Sequence, residues 1–182
     1  LTIAGHKLYA PKGIGALYIR KGTRIENLMH GAGQEKGIRP GTENVIHTVG
    51  LGKACEVALR DFKQNQRNMQ LSRDRLLNGL VSCLGNKVHV NGKLENCLPN
   101  TLSVAFKNTS AHTLASSISN EVLISTGSAC HSGETTISSV LQAMNLDFRT
   151  ATATVRISTG KWTTEEEIDF AGECFGVRKH IR

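Results

Sequence analysis

The sequence predicts an α/β chain whose C-terminal half is an α+β layer, helices packed on one face of a sheet. Three observations predict it. A long helical region ends at Gly85, the apolar pattern then changes to short alternating runs, and from there strands recur with returning helices. The length of 182 residues permits one medium domain, or a small domain plus part of another.

The elements follow in order. Thr2 to Gly5 is a β-rich run that delivers His6-Lys7 into a loop punctuated by Pro11, Gly13 and Gly15. Residues Gly15–Arg20 read as a strand, Lys21-Gly22-Thr23 as a turn, and the stretch to Pro40 as loop. Thr42 is the expected cap of a helix starting at Glu43, with Val45, Val49, Ala54, Val57 and Ala58 as its apolar stripe and Gly50 and Gly52 as weak points. Lys63–Asn68 reads as a polar link to a second helix through Leu71, Leu76, Leu77, Leu80 and Leu84. Strands are expected at Lys87–Val90, Thr101–Phe106, Val122–Ser125 and Ala153–Ser158, and helices at Ala111–Ser119, Thr136–Met144 and Thr163–Arg178. There is no internal repeat and no low-complexity segment.

Composition sets the class. With 39% hydrophobic and 20% charged residues and no apolar run of membrane-spanning length, a soluble protein is expected, without membrane association. The start at Leu1 carries no signal-peptide pattern. Five cysteines, odd in number and without a CxxC pair, fit reduced thiols in a cytoplasmic setting and argue against a metal site. The net charge of +7 comes from scattered Lys and Arg with 4% aromatics, which reads as a solvated basic surface facing some anionic groups rather than as a nucleic-acid footprint.

Four residues stand out chemically. Lys7, held between rigid segments, has the address of a Schiff-base lysine, which needs a buried setting and nearby positive charge to present a neutral amine; the plain alternative is a solvated strand end. Thr42, at a helix start, offers a hydroxyl where free N–H groups favour an anion, or is an ordinary cap. Cys130 lies among Ser128, Ala129, Ser132 and Gly133, as expected of an exposed flexible loop, whereas Cys55, Cys83, Cys97 and Cys174 fit buried small hydrophobes. A free thiol with a pKa near 8.5 is a few per cent thiolate at neutral pH, and His131 would raise that fraction. Arg156, in an apolar strand, reads as a buried charge that needs an anion, either a ligand or an acid such as Glu165 or Glu167.

Taken in order, the His6-Lys7 loop, Gly31-Ala32-Gly33-Gln34-Glu35-Lys36-Gly37-Ile38-Arg39-Pro40-Gly41-Thr42-Glu43-Asn44, Ser125-Thr126-Gly127-Ser128-Ala129-Cys130-His131-Ser132-Gly133 and Thr154-Val155-Arg156-Ile157-Ser158-Thr159-Gly160 resemble the NifS-like cysteine desulfurases and related selenocysteine lyases, of the class V aminotransferase group. The resemblance runs over essentially the whole chain. It implies the C-terminal part of a pyridoxal 5'-phosphate enzyme of fold type I, an antiparallel-rich sheet with helices on one face plus a remnant of the large cofactor domain. Residues 1–45 would end the large domain, 46–86 connect, and 87–182 form the small α+β domain.

The same resemblance assigns roles. Lys7 would form the Schiff base, His6 lie beside the cofactor, Thr42 reach the cofactor phosphate of a partner subunit in a homodimer, Cys130 take up sulfur as a persulfide, and Arg156 grip the substrate carboxylate. Ala4 stands where many family members carry a phosphate-binding hydroxyl, a reason to consider the selenocysteine lyase side. The implied reaction releases sulfur or selenium from L-cysteine or L-selenocysteine to give L-alanine, with an acceptor protein for the released atom. The groups that stack on and protonate the cofactor ring would lie outside this chain, which makes an inactive fragment the expectation. The alternatives are another class V aminotransferase, which needs no mobile cysteine, and a non-catalytic interaction module.

Overall fold

The first strands are Thr2–Ala4 (β1) and Gly15–Leu17 (β2), an antiparallel pair in the register Thr2↔Leu17, Ile3↔Ala16, Ala4↔Gly15. They appear in a computed structural model that describes residues 1–131 and 134–177, with the backbone alone for 129–131, 134, 135 and 177. The chain divides into two units, Leu1–Phe62 and Lys63–Arg182.

In the first unit the expected strand Gly15–Arg20 pairs over its first three residues, and Tyr18 N–H adds a bond to Leu1 O at 2.8 Å. Thr23 N–H donates to Arg20 O, closing the expected turn. The helix that follows is Val45–Arg60 (α1), and its cap is Asn44, whose side chain accepts from His47 N–H at 3.2 Å. Thr42 is therefore not the cap. Asn is at least as good a cap as Thr, and the one nearer the apolar stripe serves.

The second unit holds a four-stranded antiparallel sheet. Phe62–Leu84 (α2) leads to Val88–Val90 (β3) and Thr101–Phe106 (β4), then Ala111–Ser117 (α3) and Ser125–Thr126 (β5). Ser128–His131 (β6) and Glu134–Ile137 (β7) form a separate hairpin, followed by Ser139–Ala143 (α4), Phe148–Thr152 (α5), Thr154–Ser158 (β8) and Glu165–Val177 (α6). The sheet order is β3-β4-β8-β5, with Leu102↔Ile157 and Val104↔Val155 facing across its centre.

Alternation decides which face is covered. Leu102, Val104, Phe106, Val155 and Ile157 all join one core with Leu76, Leu80 and Leu84 of α2, Ala111 and Leu114 of α3, and Ile168, Ala171 and Phe175 of α6. Helices α2, α3 and α6 thus pack on one sheet face, whereas Thr154, turned to the other, is buried and donates to Thr150 O of the short helix α5. The Leu residues at four-residue spacing on α2 make a single stripe, and burying each such side chain contributes about 1.5–3 kcal/mol. The rings of Phe106 and Phe175 stack with centroids 5.4 Å apart. Outside that core, Arg75 of α2 forks onto Asp169 of α6, with two hydrogen bonds of 2.7 Å, and also pairs with Glu165.

Several details differ from the expectation. The strand expected at Val122–Ser125 is instead Ser125–Thr126, and Val122 and Ile124 pack against the core outside the ladder. Lys63–Asn68 is helical rather than a link, because Lys, Gln and Arg propagate a helix already nucleated beyond them. Thr136–Met144 is not one helix: β7 runs to Ile137, and Ser138 caps α4 through a bond from Val140 N–H. Helix α5 has no counterpart in the reading; Asp147 caps it, accepting from Thr150 N–H at 3.0 Å and Thr150 Oγ1 at 2.6 Å, bonds that hold its carboxyl below the usual carboxylate range.

Candidate active site

His6 and Lys7 lie on one turn of 3₁₀ helix, Gly5–Leu8, immediately after β1. The turn is closed by backbone alone. Gly5 N–H donates to Ile14 O at 2.8 Å, Ala10 N–H to Gly5 O at 3.1 Å, and Tyr9, in the left-handed region at φ 62°, ends it. Gly5 is buried there, and a Cβ on it would stand 2.7 Å from Ile14 O, so no other residue fits without moving backbone. Pro11 then packs on Gly50 of α1, where a Cβ would lie 3.1 Å from the proline ring. A Gly that weakens the helix in isolation lets the His-Lys loop sit against it. The resulting platform is stiff, but Lys7 and His6 themselves are exposed, so the expected burial of Lys7 is not supplied by this chain.

Thr42 closes a second loop of the same unit. Gly37 N–H bonds Gly33 O and Gln34 O, Asn27 Nδ2 donates to Gly37 O, and Gly41 N–H, at φ 100°, donates to the Gln34 side chain at 3.0 Å. Pro40 covers Gly31 so closely that a Cβ there would be 2.7 Å from it. Thr42 emerges from this knot exposed, its hydroxyl not committed to the helix cap. Lys7 offers an amine that can condense with an aldehyde and His6 an imidazole on the same turn, while Thr42, on a separate loop, offers a hydroxyl that can donate to a phosphate.

In the second unit Arg156 is exposed, not buried. The register that turns Val155 and Ile157 into the core turns Arg156 away from it. Its Nη2 donates to Ser125 Oγ at 3.3 Å across the β5–β8 pair. Neither suggested acid holds it: Glu165 pairs with Arg75, and Glu167 accepts from Thr164 N–H while its own N–H donates to Thr164 Oγ1, a capping box for α6. Among the described residues no carboxylate pairs with Arg156, which leaves its guanidinium open to an anion.

Cys130 lies in β6, opposite Thr135 of β7, so its backbone belongs to a hairpin ladder rather than an irregular loop. Its side chain, and Ser132 and Gly133 of the same motif, lie outside the described residues. The contrast drawn with the other cysteines does not hold. Cys55, Cys83 and Cys97 are exposed and Cys174 is half-buried, because their helix and loop positions face away from the apolar stripes. Among the described residues no group of three His, Cys, Asp or Glu side chains is arranged to hold a metal ion, and no helix is long and apolar enough to cross a membrane. Ser125 opens the third sequence motif but had no role assigned to it, because its place opposite Arg156 follows from pairing that periodicity does not disclose.

The class-V aminotransferase family matches residues 1–170, and the chain belongs to that family. It is 41% identical over its full length to the cysteine desulfurase IscS of Edwardsiella ictaluri, and 45% identical over 93% of its length to cysteine desulfurase 2 of Trichormus variabilis. It spans 44% and 42% of those proteins, less than half of each. Among solved structures, a NifS-like protein superposes with a TM-score of 0.84 at 39% identity, over 96% of this chain and 44% of that one. A NifS-like protein from Rickettsia africae gives 0.83 at 27% identity, over 96% and 45%. The architecture described above is therefore part of the fold type I arrangement of NifS-like enzymes.

Proposed function

We propose that this chain is part of a pyridoxal-phosphate-dependent cysteine desulfurase that takes sulfur from L-cysteine, leaving L-alanine. The observation that carries the reading is the exposed Lys7 amine on a turn pinned by a glycine that tolerates no side chain. Relatives named cysteine desulfurases that match the chain from end to end support it. The cofactor, when bound, would supply the electron sink that weakens bonds at the substrate α- and β-carbons.

The chain's own residues then divide the work. The Lys7 amine would hold the cofactor aldehyde, His6 would flank the ring, and the Thr42 hydroxyl would bind a phosphate, that of the partner subunit in a homodimer. The open guanidinium of Arg156 would orient the substrate by two parallel hydrogen bonds to its carboxylate. The Cys130 thiolate would form an S–S bond to the substrate sulfur as the Cβ–S bond breaks; the electron pair goes to carbon, a proton completes alanine, and a persulfide stays on Cys130. A thiol of an acceptor protein would take that sulfur. Such chemistry needs a reducing, cytoplasm-like compartment.

The test uses the complete protein. After incubation with cysteine, mass spectrometry should find one added sulfur on Cys130, and Lys7→Ala should lose the borohydride-reducible cofactor adduct. Added sulfur mainly on Cys55 or Cys174, or an adduct at another lysine, would sink the assignment. Full turnover by Cys130→Ser would favour a class V aminotransferase, and a strong preference for selenocysteine over cysteine would move the protein to the selenocysteine lyases.

A further inference from the structure

The sheet face turned away from the core carries a polar row. Val90 pairs with Val104, and the next residue, Asn91, donates its N–H to Ser103 O at 2.9 Å. Ser103 of β4 stands opposite Arg156 of β8, and Arg156 opposite Ser125 of β5. Residues directly opposite on adjacent strands share a face, with Cβ atoms about 5 Å apart. Ser103 and Ser125 therefore flank Arg156 on its two sides.

The hydrogens of this row can be assigned from its buried end. Thr154 is 1% exposed, and its Oγ1 lies 2.8 Å from Thr150 O, a carbonyl that can only accept, so the Thr154 hydrogen is spent there. The Asn91 side-chain atom 2.9 Å from Thr154 Oγ1 must then be the donor, Nδ2. The same nitrogen lies 3.1 Å from Ser103 Oγ and gives it the second amide hydrogen. Asn91 is 2% exposed and its Oδ1 has no partner among the described residues, so these two donations hold the amide. Ser103 Oγ accepts, and among the described residues its own hydrogen has no acceptor. Ser103 is half-buried, so that hydrogen has an open side. Arg156 has donors alone, one of them 3.3 Å from Ser125 Oγ. Ser103 and Arg156 thus offer hydrogens side by side, and no described carboxylate meets either.

We propose that Ser103 is a second binding residue for the substrate carboxylate, donating its hydroxyl hydrogen beside the Arg156 fork, with Asn91 as the positioning residue that keeps this hydroxyl a donor. The proposal rests on the reading of Arg156 as carboxylate anchor. A carboxylate has about four lone-pair sites, of which a bidentate arginine takes two, so a third donor is accommodated. An amide in the same place turns an NH2 group toward donors and is rejected. The row therefore selects amino acids with a free carboxylate over their amides.

The experiment uses the complete, cofactor-loaded protein and follows KM for cysteine together with competitive inhibition by L-alanine and by L-alaninamide. Ser103→Ala should raise KM about five- to tenfold while kcat changes by less than about twofold, and should narrow the preference for L-alanine over L-alaninamide by a similar factor. Ser103→Thr keeps the hydroxyl and should restore both. Asn91→Ala frees the hydroxyl to turn, and should raise KM about threefold alone but add little to Ser103→Ala, because both act through one hydrogen. Wild-type KM and preference in Ser103→Ala, beside a raised KM in Arg156→Ala, would overturn the proposal. So would equal losses in Ser103→Ala and Ser103→Thr, which mark a packing role, or an Asn91→Ala effect that adds in full. Should Asn91→Ala not fold, the two Ser103 variants decide alone. A wild-type KM in Arg156→Ala fails the anchor reading by itself.

Discussion

Lys7 and Arg156 are both exposed cations on short elements, yet what lies beneath them differs. Arg156 stands on a strand whose neighbours Val155 and Ile157 enter a core shared by three helices. Lys7 stands on a turn held by backbone hydrogen bonds and by glycines in close contact, and among the described residues of its unit Leu51 is the one buried apolar side chain. Ile46, Leu28 and Leu59 of that unit are more than four-fifths exposed. The difference teaches that the second unit supplies its own stability, whereas the first has local geometry without a hydrophobic interior.

The largest test of that contrast is the 182-residue chain by itself, supplied with pyridoxal phosphate and reductant. It should be catalytically silent and self-associate through its first unit, with amides of β4 and β8 protected from hydrogen exchange and those of residues 1–62 exchanging far faster. Measured desulfurase activity, or equal protection in both units, would break the comparison. Next in size is stability: Leu80→Ala, at a fully buried site, should cost about 2–5 kcal/mol by denaturant titration, while Ile46→Ala in the same chain should change it by less than about 0.5 kcal/mol.

A smaller effect is expected at the exposed arginine. In the complete protein Arg156→Ala should raise KM for cysteine about tenfold with cofactor content unchanged, since a charged bidentate contact at an open site falls below the worth of a buried one. An unaltered KM would make Arg156 a surface cation.

The smallest concerns the fork of Arg75 on Asp169. The hydrogen bond from Arg75 holds the Asp169 carboxyl below its usual range. A lowered folded-state pKa means that the stabilisation is full above the ordinary carboxylate value and is lost as pH falls through it and below. Arg75→Ala should therefore lower the thermal midpoint slightly near neutrality, and the deficit should vanish in strong acid and shrink in high salt. A deficit that persists at the acid end would show that packing rather than charge is responsible.

What could be read in advance followed from local chemistry. Thr101–Phe106 was legible to the residue, because six alternating and apolar positions in mid-sheet carry a strong period, and Gly85 marked the end of α2. The core layer of α2 and α6 on one sheet face was legible for the same reason, while the cover that α5 gives the other face was not. Pairing partners were not. The alternation that buries Val155 and Ile157 also turns Arg156 outward, a signal present in the sequence but outweighed there by the rarity of a charge in an apolar run. The His-Lys, Thr42 and Arg156 positions were found through ordered motifs, whereas the burial of Lys7 depends on contacts that sequence periodicity does not report. Cysteine exposure failed as a guide because a residue type's average burial says nothing of which side of a helix it takes. Asp147 three residues before Thr150 was a usable start signal for α5, lost in a helix of five residues.

The stacked pair Phe106 and Phe175 also bears on how the molecule comes into being. A ribosome delivers β4 long before α6, so the ring of Phe106 and the outer side of the α2 leucine stripe wait without their cover while some seventy further residues are made. Until then the sheet presents an oily surface to the cell. A nascent chain stalled before residue 165 should be held by chaperones, and release should coincide with arrival of the last helix.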